Sequence, residues 1–187
     1  NAPDASSQEG KTATYWAGYL AHYLADNTQP QHATIDYKSQ TYFADKRKAP
    51  NVHSEVEYRM CDDANNDFMA LRQEYWPLFV KYLDEFKDPV ESKDPWESSV
   101  QTSLKSYEAL PMIGLAAMQA AKQGGTPEHP EGEAAATFDT EAFFHFKGQY
   151  MGREMTVTEM KAIQTAWAVI RIQRFYRQAW DQAMAEK

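Results

Sequence analysis

Apolar residues recur every three or four positions through the last thirty or so residues of the chain, from about Thr156 onward. Thr156 and Glu159 have the spacing of a capping box, in which the two side chains satisfy backbone N–H groups at the start of a helix. Two adjacent apolar lines follow them: Met160, Ile163, Trp167 and Ile170, then Ala166, Val169, Ile172, Tyr176 and Ala183. This pattern predicts a long amphipathic helix that packs on two neighbours.

The same spacing predicts three further helices with clear starts or ends. Residues 12–25 carry an apolar stripe, and residues 63–87 carry another that contains Pro77, where we expect a kink or a break because proline lacks a backbone N–H. A helix over residues 94–109 begins with Asp94 as its N-cap. The stripe of the first helix consists of Tyr15, Trp16, Tyr19, Leu20, Tyr23 and Leu24.

Shorter or thinner patterns predict the remaining elements. A short apolar helix runs from Pro111 to Gly124-Gly125, and residues 34–48 form a helical candidate with a thin apolar face. Ser54 and Glu57 again have capping-box spacing. Residues 143–150 form a short aromatic helix, and the chain shows no alternating pattern long enough to predict a strand.

These elements predict an all-α protein, an irregular bundle of about six to seven helices with a long C-terminal helix. Residues 1–10 are polar and aperiodic, which indicates a flexible tail, and residues 11–187 form a single helical domain. The segment 123–138 contains Gly, Pro and acidic residues and no Lys or Arg before Glu141, so we expect an exposed acidic loop there.

The charge of the chain limits the classes of molecule that it is expected to bind. The formal net charge is -8, yet residues 151–187 hold six Lys/Arg against four Asp/Glu, so the basic excess lies at the C-terminal end. An acidic protein is a poor partner for nucleic acid. No apolar run reaches the roughly 20 residues of a membrane span, and no targeting peptide is visible. A start at Asn1 rather than Met is compatible with the mature end of an imported protein.

No specific catalytic or metal-binding motif is present in the sequence. Glu141 and His145 are one helical turn apart and could share a metal, but the alternative is a surface pair beside aromatic core residues. Cys61 is followed by two aspartates, which disfavour the reactive thiolate. We therefore predict no catalytic residue, no metal site and no cofactor.

The last helix contains the segment Ile172-Gln173-Arg174-Phe175-Tyr176-Arg177. It resembles the core of an IQ motif, the helical segment that calmodulin-like proteins bind, although Gln178 stands where that family usually has Gly. Arginines also recur at three-residue steps, and the positive charges of such a row cannot neutralise one another, so we expect acidic groups of a partner to face them. The alternative is that Ile172 and Tyr176 are core and the arginines a solvated stripe. We predict that partner binding involves Arg171, Arg174, Arg177, Ile172, Gln173 and Trp180.

Ile35-Asp36-Tyr37, with Tyr42, resembles the Ile-Asp-aromatic stretch of the mitochondrial ATP synthase peripheral-stalk subunit d family. Members of that family are soluble, helical, aromatic-rich structural subunits beside other stalk subunits. The resemblance implies an assembly subunit in mitochondria and assigns a role to no single residue.

We therefore predict a non-catalytic structural or accessory subunit of a larger protein assembly, such as a mitochondrial ATP synthase or respiratory complex, with other protein subunits as its partners. The abundance of large aromatic side chains supports this prediction, since such residues anchor protein interfaces. One alternative is a helical module that recruits a calmodulin-like protein through the IQ-like helix. Another is a helical metal protein or enzyme that has no motif-level signature.

Overall fold

A computed structural model describes residues 4–43, 45–59, 69–123 and 138–185. The described residues contain seven α-helices, three short 3-10 helices and one β-hairpin, which agrees with the predicted all-α class. No helix among them is both long enough and apolar enough to cross a bilayer. In chain order the elements are α1 (Gln8–Asp26), 3-10 helices at Pro30–Ala33, Gln40–Tyr42 and Lys46–Lys48, α2 (Val52–Tyr58), α3 (Met69–Glu85), α4 (Pro95–Tyr107), α5 (Leu110–Gln123), α6 (Thr140–His145), β1 (Lys147–Tyr150), β2 (Arg153–Thr156) and α7 (Val157–Ala185).

Helix α7 is the element on which the others assemble. The Thr156 hydroxyl accepts a hydrogen bond from the Glu159 N–H at 3.1 Å, as the capping-box spacing predicted. Helix α3 packs along α7, and α1, α5, α6 and both strands contact it as well. The first half of α7 is buried on most of its faces, which explains why its apolar pattern is wide. The largest buried core side chains include Trp167, Tyr75, Phe143, Phe144, Leu71, Met112, Ile113 and Met160.

Residues 147–156 form an antiparallel hairpin, so the predicted helix over residues 143–150 was wrong beyond His145, and so was the absence of strands. The hairpin turns at Met151 and Gly152, whose φ angles of 51° and 76° are both in the left-handed region. A two-residue turn with two positive φ angles matches the twist of paired strands. Each strand has only four residues, too few for a period of two to be visible in the sequence.

The predicted helix over residues 34–48 was also wrong, because the segment contains two separate 3-10 turns. The Asp36 carboxylate accepts hydrogen bonds from the N–H groups of Gln40 at 2.7 Å and Thr41 at 3.1 Å. Such local bonds give the backbone an alternative to helical hydrogen bonding. Helix α2 begins at Val52, two residues before the predicted cap at Ser54.

Other boundaries differ less from those predicted. The Ser7 hydroxyl accepts from the Gly10 N–H at 3.0 Å, so α1 starts at Gln8 and takes in the end of the predicted tail. Helix α3 continues through Pro77 without a break. The Asp94 carboxylate caps α4 as predicted, accepting from the Glu97 N–H at 2.8 Å. Most of the predicted acidic loop, as well as Cys61, lies outside the described residues.

Candidate functional site

Two of the three arginines predicted to form an exposed row lie largely inside the protein. Arg171 is 0% exposed, and its Nη1 lies 3.8 Å from Asp88 Oδ2. Arg174 Nη1 lies 2.9 Å from the same carboxylate oxygen. Both guanidinium groups donate to the Ser98 hydroxyl, at 2.8 Å and 2.9 Å. The two arginines therefore link α7 to Asp88 and α4, and Arg171 is not available to a partner.

Asp88 follows α3 and is held in place by two donors. The indole Nε1 of Trp167 donates to its Oδ1 at 2.8 Å, and the Val90 N–H donates to the same oxygen at 2.9 Å. Burial lowers the pKa of Arg171 to about 10, although the nearby Asp88 carboxylate acts in the opposite direction. The spacing of the arginines could not reveal this arrangement, since their counter-ion, Asp88, is more than 80 positions away in the chain.

The other four residues predicted to bind a partner differ in their exposure. Arg177 has a side chain that is 78% exposed and pairs with Asp181 one turn further along α7. Gln173 and Trp180 are exposed, whereas Ile172 is half-buried. The IQ-like segment thus offers a partner only part of the surface that its sequence predicts.

Helix α4 has its apolar side facing outward. Its buried residues are Ser98, Thr102 and Ser106, three small hydroxyl side chains. The Ser106 hydroxyl donates to the Asn27 carbonyl at 2.9 Å, and the Thr102 hydroxyl donates to the Ser98 carbonyl at 2.7 Å. The outer side carries four large exposed residues, here called the α4 stripe: Trp96, Val100, Leu104 and Tyr107.

The α4 stripe borders a groove with a volume of about 380 Å³. The opposite wall comes from Asn27 and from the 3-10 helix that contains His32 and Ala33. Trp96 is 79% exposed at one end of the stripe. Four apolar side chains over three turns of one helix form a contiguous exposed surface, a feature typical of protein interaction sites.

A second set of exposed aromatic residues lies on α1. Tyr15, Trp16, Tyr19 and Tyr23 belong to the stripe that predicted this helix, yet all four are exposed. Their rings contact one another, with 4.7 Å between the centroids of Tyr15 and Tyr19. Of the residues of α1, only Gly10 and Leu24 are buried. Helix α1 therefore contacts α7 through a narrow side and leaves its aromatic side open.

Two histidines and a glutamate meet near the groove. His53 and Glu57 lie one turn apart on α2, with 2.9 Å between His53 Nε2 and Glu57 Oε2. His32 Nε2 lies 2.9 Å from His53 Nε2 and 4.0 Å from Glu57 Oε1. These three residues are here called the His/Glu cluster. Imidazole nitrogens and carboxylate oxygens are metal-ligand atoms, and one from each residue lies within 4.8 Å of the others.

A carboxylate on α1 orients the first histidine of the His/Glu cluster. Asp26 Oδ1 lies 3.2 Å from His32 Nδ1, on the far side of the ring from His53. A proton on Nδ1 that is donated to Asp26 leaves the Nε2 lone pair directed at the cluster. The His53 ring is held edge to face against Tyr37, with 5.8 Å between the centroids.

The His/Glu cluster was not predicted from the sequence, which instead suggested Glu141 and His145 as a pair that could share a metal. His145 Nε2 lies 2.9 Å from Glu74 on α3 instead of pairing with Glu141 on its own helix. The spacing of His53 and Glu57 was a usable signal, but Ser54 and Glu57 were interpreted as a cap. That interpretation placed the start of the helix after His53 and so separated His53 from Glu57.

Comparison with known proteins gives no match to a protein-family model, to a curated protein or to a solved structure. A function for this chain therefore has to be inferred from the geometry of its own residues.

Proposed function

We propose that this chain is a structural subunit of a larger protein assembly and that it binds a neighbouring protein subunit through the α4 stripe. One observation carries the proposal: α4 buries small hydroxyl side chains and exposes large apolar ones. In an isolated chain this orientation leaves apolar surface in water. A partner that covers Trp96 and Leu104 removes that surface from water.

The size and shape of the surface favour a protein partner over a small ligand. The α4 stripe extends for about 17 Å along the helix, since an α-helix rises about 1.5 Å per residue. Its aromatic ends, Trp96 and Tyr107, are residue types that dominate binding energy at protein interfaces. The exposed aromatic side of α1 adds a second surface of similar composition.

Membership of a mitochondrial ATP synthase or respiratory complex is part of this proposal and rests on the resemblance around Ile35. The Ile35 side chain is fully exposed, at 101% of its reference area, and Tyr37 beside it is partly exposed. An apolar residue at that exposure supports a contact with another subunit. Asp36 between them has a local role, because its carboxylate fixes the turn at Gln40 and Thr41.

Photo-crosslinking tests the proposal on the full-length chain in its native source. A photoreactive amino acid replaces Leu104, and in a matched control it replaces the exposed Lys81 on α3. We expect Leu104, but not Lys81, to capture a defined subunit, and native mass spectrometry to find the chain within a complex. A lone monomer in native extracts would overturn the proposal, as would equal capture from both positions.

A charge substitution on the α4 stripe adds a quantitative test. Leu104→Asp should weaken association with the captured subunit by about 30-fold or more, the effect of losing an interface hot spot. The fold should survive, because this side chain is already exposed. Lys81→Asp is the control and should leave association unchanged. Equal affinities of the wild-type chain and Leu104→Asp would contradict the proposed interface.

A further inference from the structure

We propose that the His/Glu cluster is a binding site for one zinc ion, with His32 Nε2, His53 Nε2 and a carboxylate oxygen of Glu57 as its protein ligands. This site lies beyond the proposed interface function and does not depend on it. It also revises the expectation from sequence that the chain binds no metal.

The distances within the His/Glu cluster match the size of a zinc coordination sphere. Zinc binds imidazole nitrogen at about 2.0–2.1 Å, and tetrahedral geometry then places neighbouring ligand atoms about 3.3 Å apart. The observed separations are 2.9 Å between the two Nε2 atoms, 2.9 Å from His53 Nε2 to Glu57 Oε2 and 4.0 Å from His32 Nε2 to Glu57 Oε1, the other oxygen of that carboxylate. One ligand atom of each residue lies within 4.8 Å of the others, so rotation of the carboxylate with small side-chain shifts would bring the three onto a common centre.

The surroundings of His32 supply the second feature of a metal site. Histidines that bind zinc usually donate their other ring N–H to a carboxylate, which fixes the tautomer and raises the basicity of the ligand. Asp26 is placed to accept that N–H, 3.2 Å from His32 Nδ1. The carboxylate comes from the end of α1, so a ligand and its orienting residue are set by different elements of the fold.

The helix that carries His53 and Glu57 is held against α7 by hydrogen bonds. The buried ammonium group of Lys161 on α7 donates to the main-chain carbonyls of Val56 and Glu57. This fixes the end of α2 against the core helix. Two of the three proposed ligands therefore project from one turn of a helix whose position is already determined.

The ligand types select the metal. Two imidazoles with one carboxylate suit zinc and related first-row transition ions, whereas calcium and magnesium prefer oxygen ligands alone. Three protein ligands leave a fourth tetrahedral position for water. The cluster is partly exposed, with side chains of His32, His53 and Glu57 that are 26%, 23% and 33% accessible, so an ion can enter from solvent.

Calorimetric titration of the full-length, metal-free protein with zinc chloride at neutral pH tests this site. We expect one zinc ion per chain, and cobalt(II) in its place should give the absorption bands of a tetrahedral complex. His53→Ala should weaken zinc binding by more than about 100-fold, and Asp26→Asn, which removes only the orienting carboxylate, by about 10- to 100-fold. Circular dichroism of each variant verifies that the fold is retained.

Matched controls separate this site from other ligands in the chain. His145→Ala removes an exposed histidine that also pairs with a glutamate, and it should bind zinc like the wild type. Cys61→Ser should do the same. The proposal is overturned if the wild-type chain binds no zinc, if both His53→Ala and Glu57→Gln bind it unchanged, or if binding is lost on Cys61→Ser instead.

Discussion

The Asp88 carboxylate is the counter-ion of two guanidinium groups in the interior, so its neutralisation should strongly destabilise the fold. Asp88→Asn nearly preserves the shape of the side chain and removes its charge. The variant leaves Arg171 fully buried, and its Nη1 no longer has the carboxylate oxygen 3.8 Å away. Arg174 loses the same partner at 2.9 Å. The amide is also a weaker acceptor for the indole N–H of Trp167.

The expected loss follows from these distances. At an effective dielectric constant of about 20, unit charges 3–4 Å apart attract by about 4–6 kcal/mol. Desolvation of the ions and repulsion between the two arginines offset part of that attraction. Removal of one partner from a buried ion pair typically costs about 3–5 kcal/mol. For a chain of this length, each kcal/mol lowers Tm by about 2–4 °C, so we expect a fall of about 6–20 °C.

Equilibrium unfolding in urea, followed by circular dichroism, measures this loss. Asp84→Asn is the matched control, since Asp84 is an exposed aspartate four residues earlier in the chain, and its effect should stay below about 0.5 kcal/mol. Arg171→Leu in the Asp88→Asn background should restore part of the stability, because it removes a buried charge that has lost its partner. A loss below about 1 kcal/mol for Asp88→Asn, or additive losses in the double variant, would refute the reasoning.

Three further predictions concern single positions. Burial raises the pKa of Tyr150 to about 12 in the folded protein, against about 10 when unfolded. The folded state therefore holds the phenolic proton more tightly, so the free energy of unfolding should fall by about 2–3 kcal/mol as pH rises from about 10 to 12. Urea unfolding across that range should show the fall in the wild type and not in Tyr150→Phe. Gly152 has a φ angle of 76°, so Gly152→Ala should cost about 1–2 kcal/mol, while Gly152→Asn costs less; equal losses would argue against the turn geometry. Thr156→Ala removes the cap of α7 and should lower the free energy of unfolding by about 1 kcal/mol, whereas Thr156→Ser retains the hydroxyl and should match the wild type.

The parts of the fold that could be predicted from sequence are those determined by neighbouring residues. The caps of α4 at Asp94 and of α7 at Thr156 could be predicted, because each cap hydrogen bond joins residues only three positions apart. The hairpin could not be predicted, since its strands are four residues long and its turn depends on Met151 as well as Gly152 adopting a positive φ. Its pairing is stabilised by the burial of Tyr150 and Met155 in the core, which the local pattern does not reveal.

The candidate sites depended on contacts between distant residues and were therefore harder to predict. A histidine at position 32 meets one at position 53 only because a 3-10 helix and α2 come together. The spacing of the arginines on α7 gives their positions along the helix, but it does not reveal that Arg171 is buried beside Asp88. The stripe on α4 is visible in the sequence, whereas the fact that it faces outward is not, because an apolar stripe normally indicates the buried side.

Helix α7 has a consequence for the order of events during synthesis. Helices α1, α3, α5 and α6 all pack on it, yet every one of them precedes it in the chain. Chains emerge from the ribosome at about 5–20 residues per second, so the sides of these helices that pack on α7 stay uncovered for several seconds until that segment is made. Lys161, Trp167 and Arg171 form hydrogen bonds to α2, to Asp88 and to α4. All three residues are synthesised within a stretch of α7, after the segments that they contact. Ribosomes stalled before Val157 should therefore display an aggregation-prone chain, because the surfaces that pack on α7 are still uncovered.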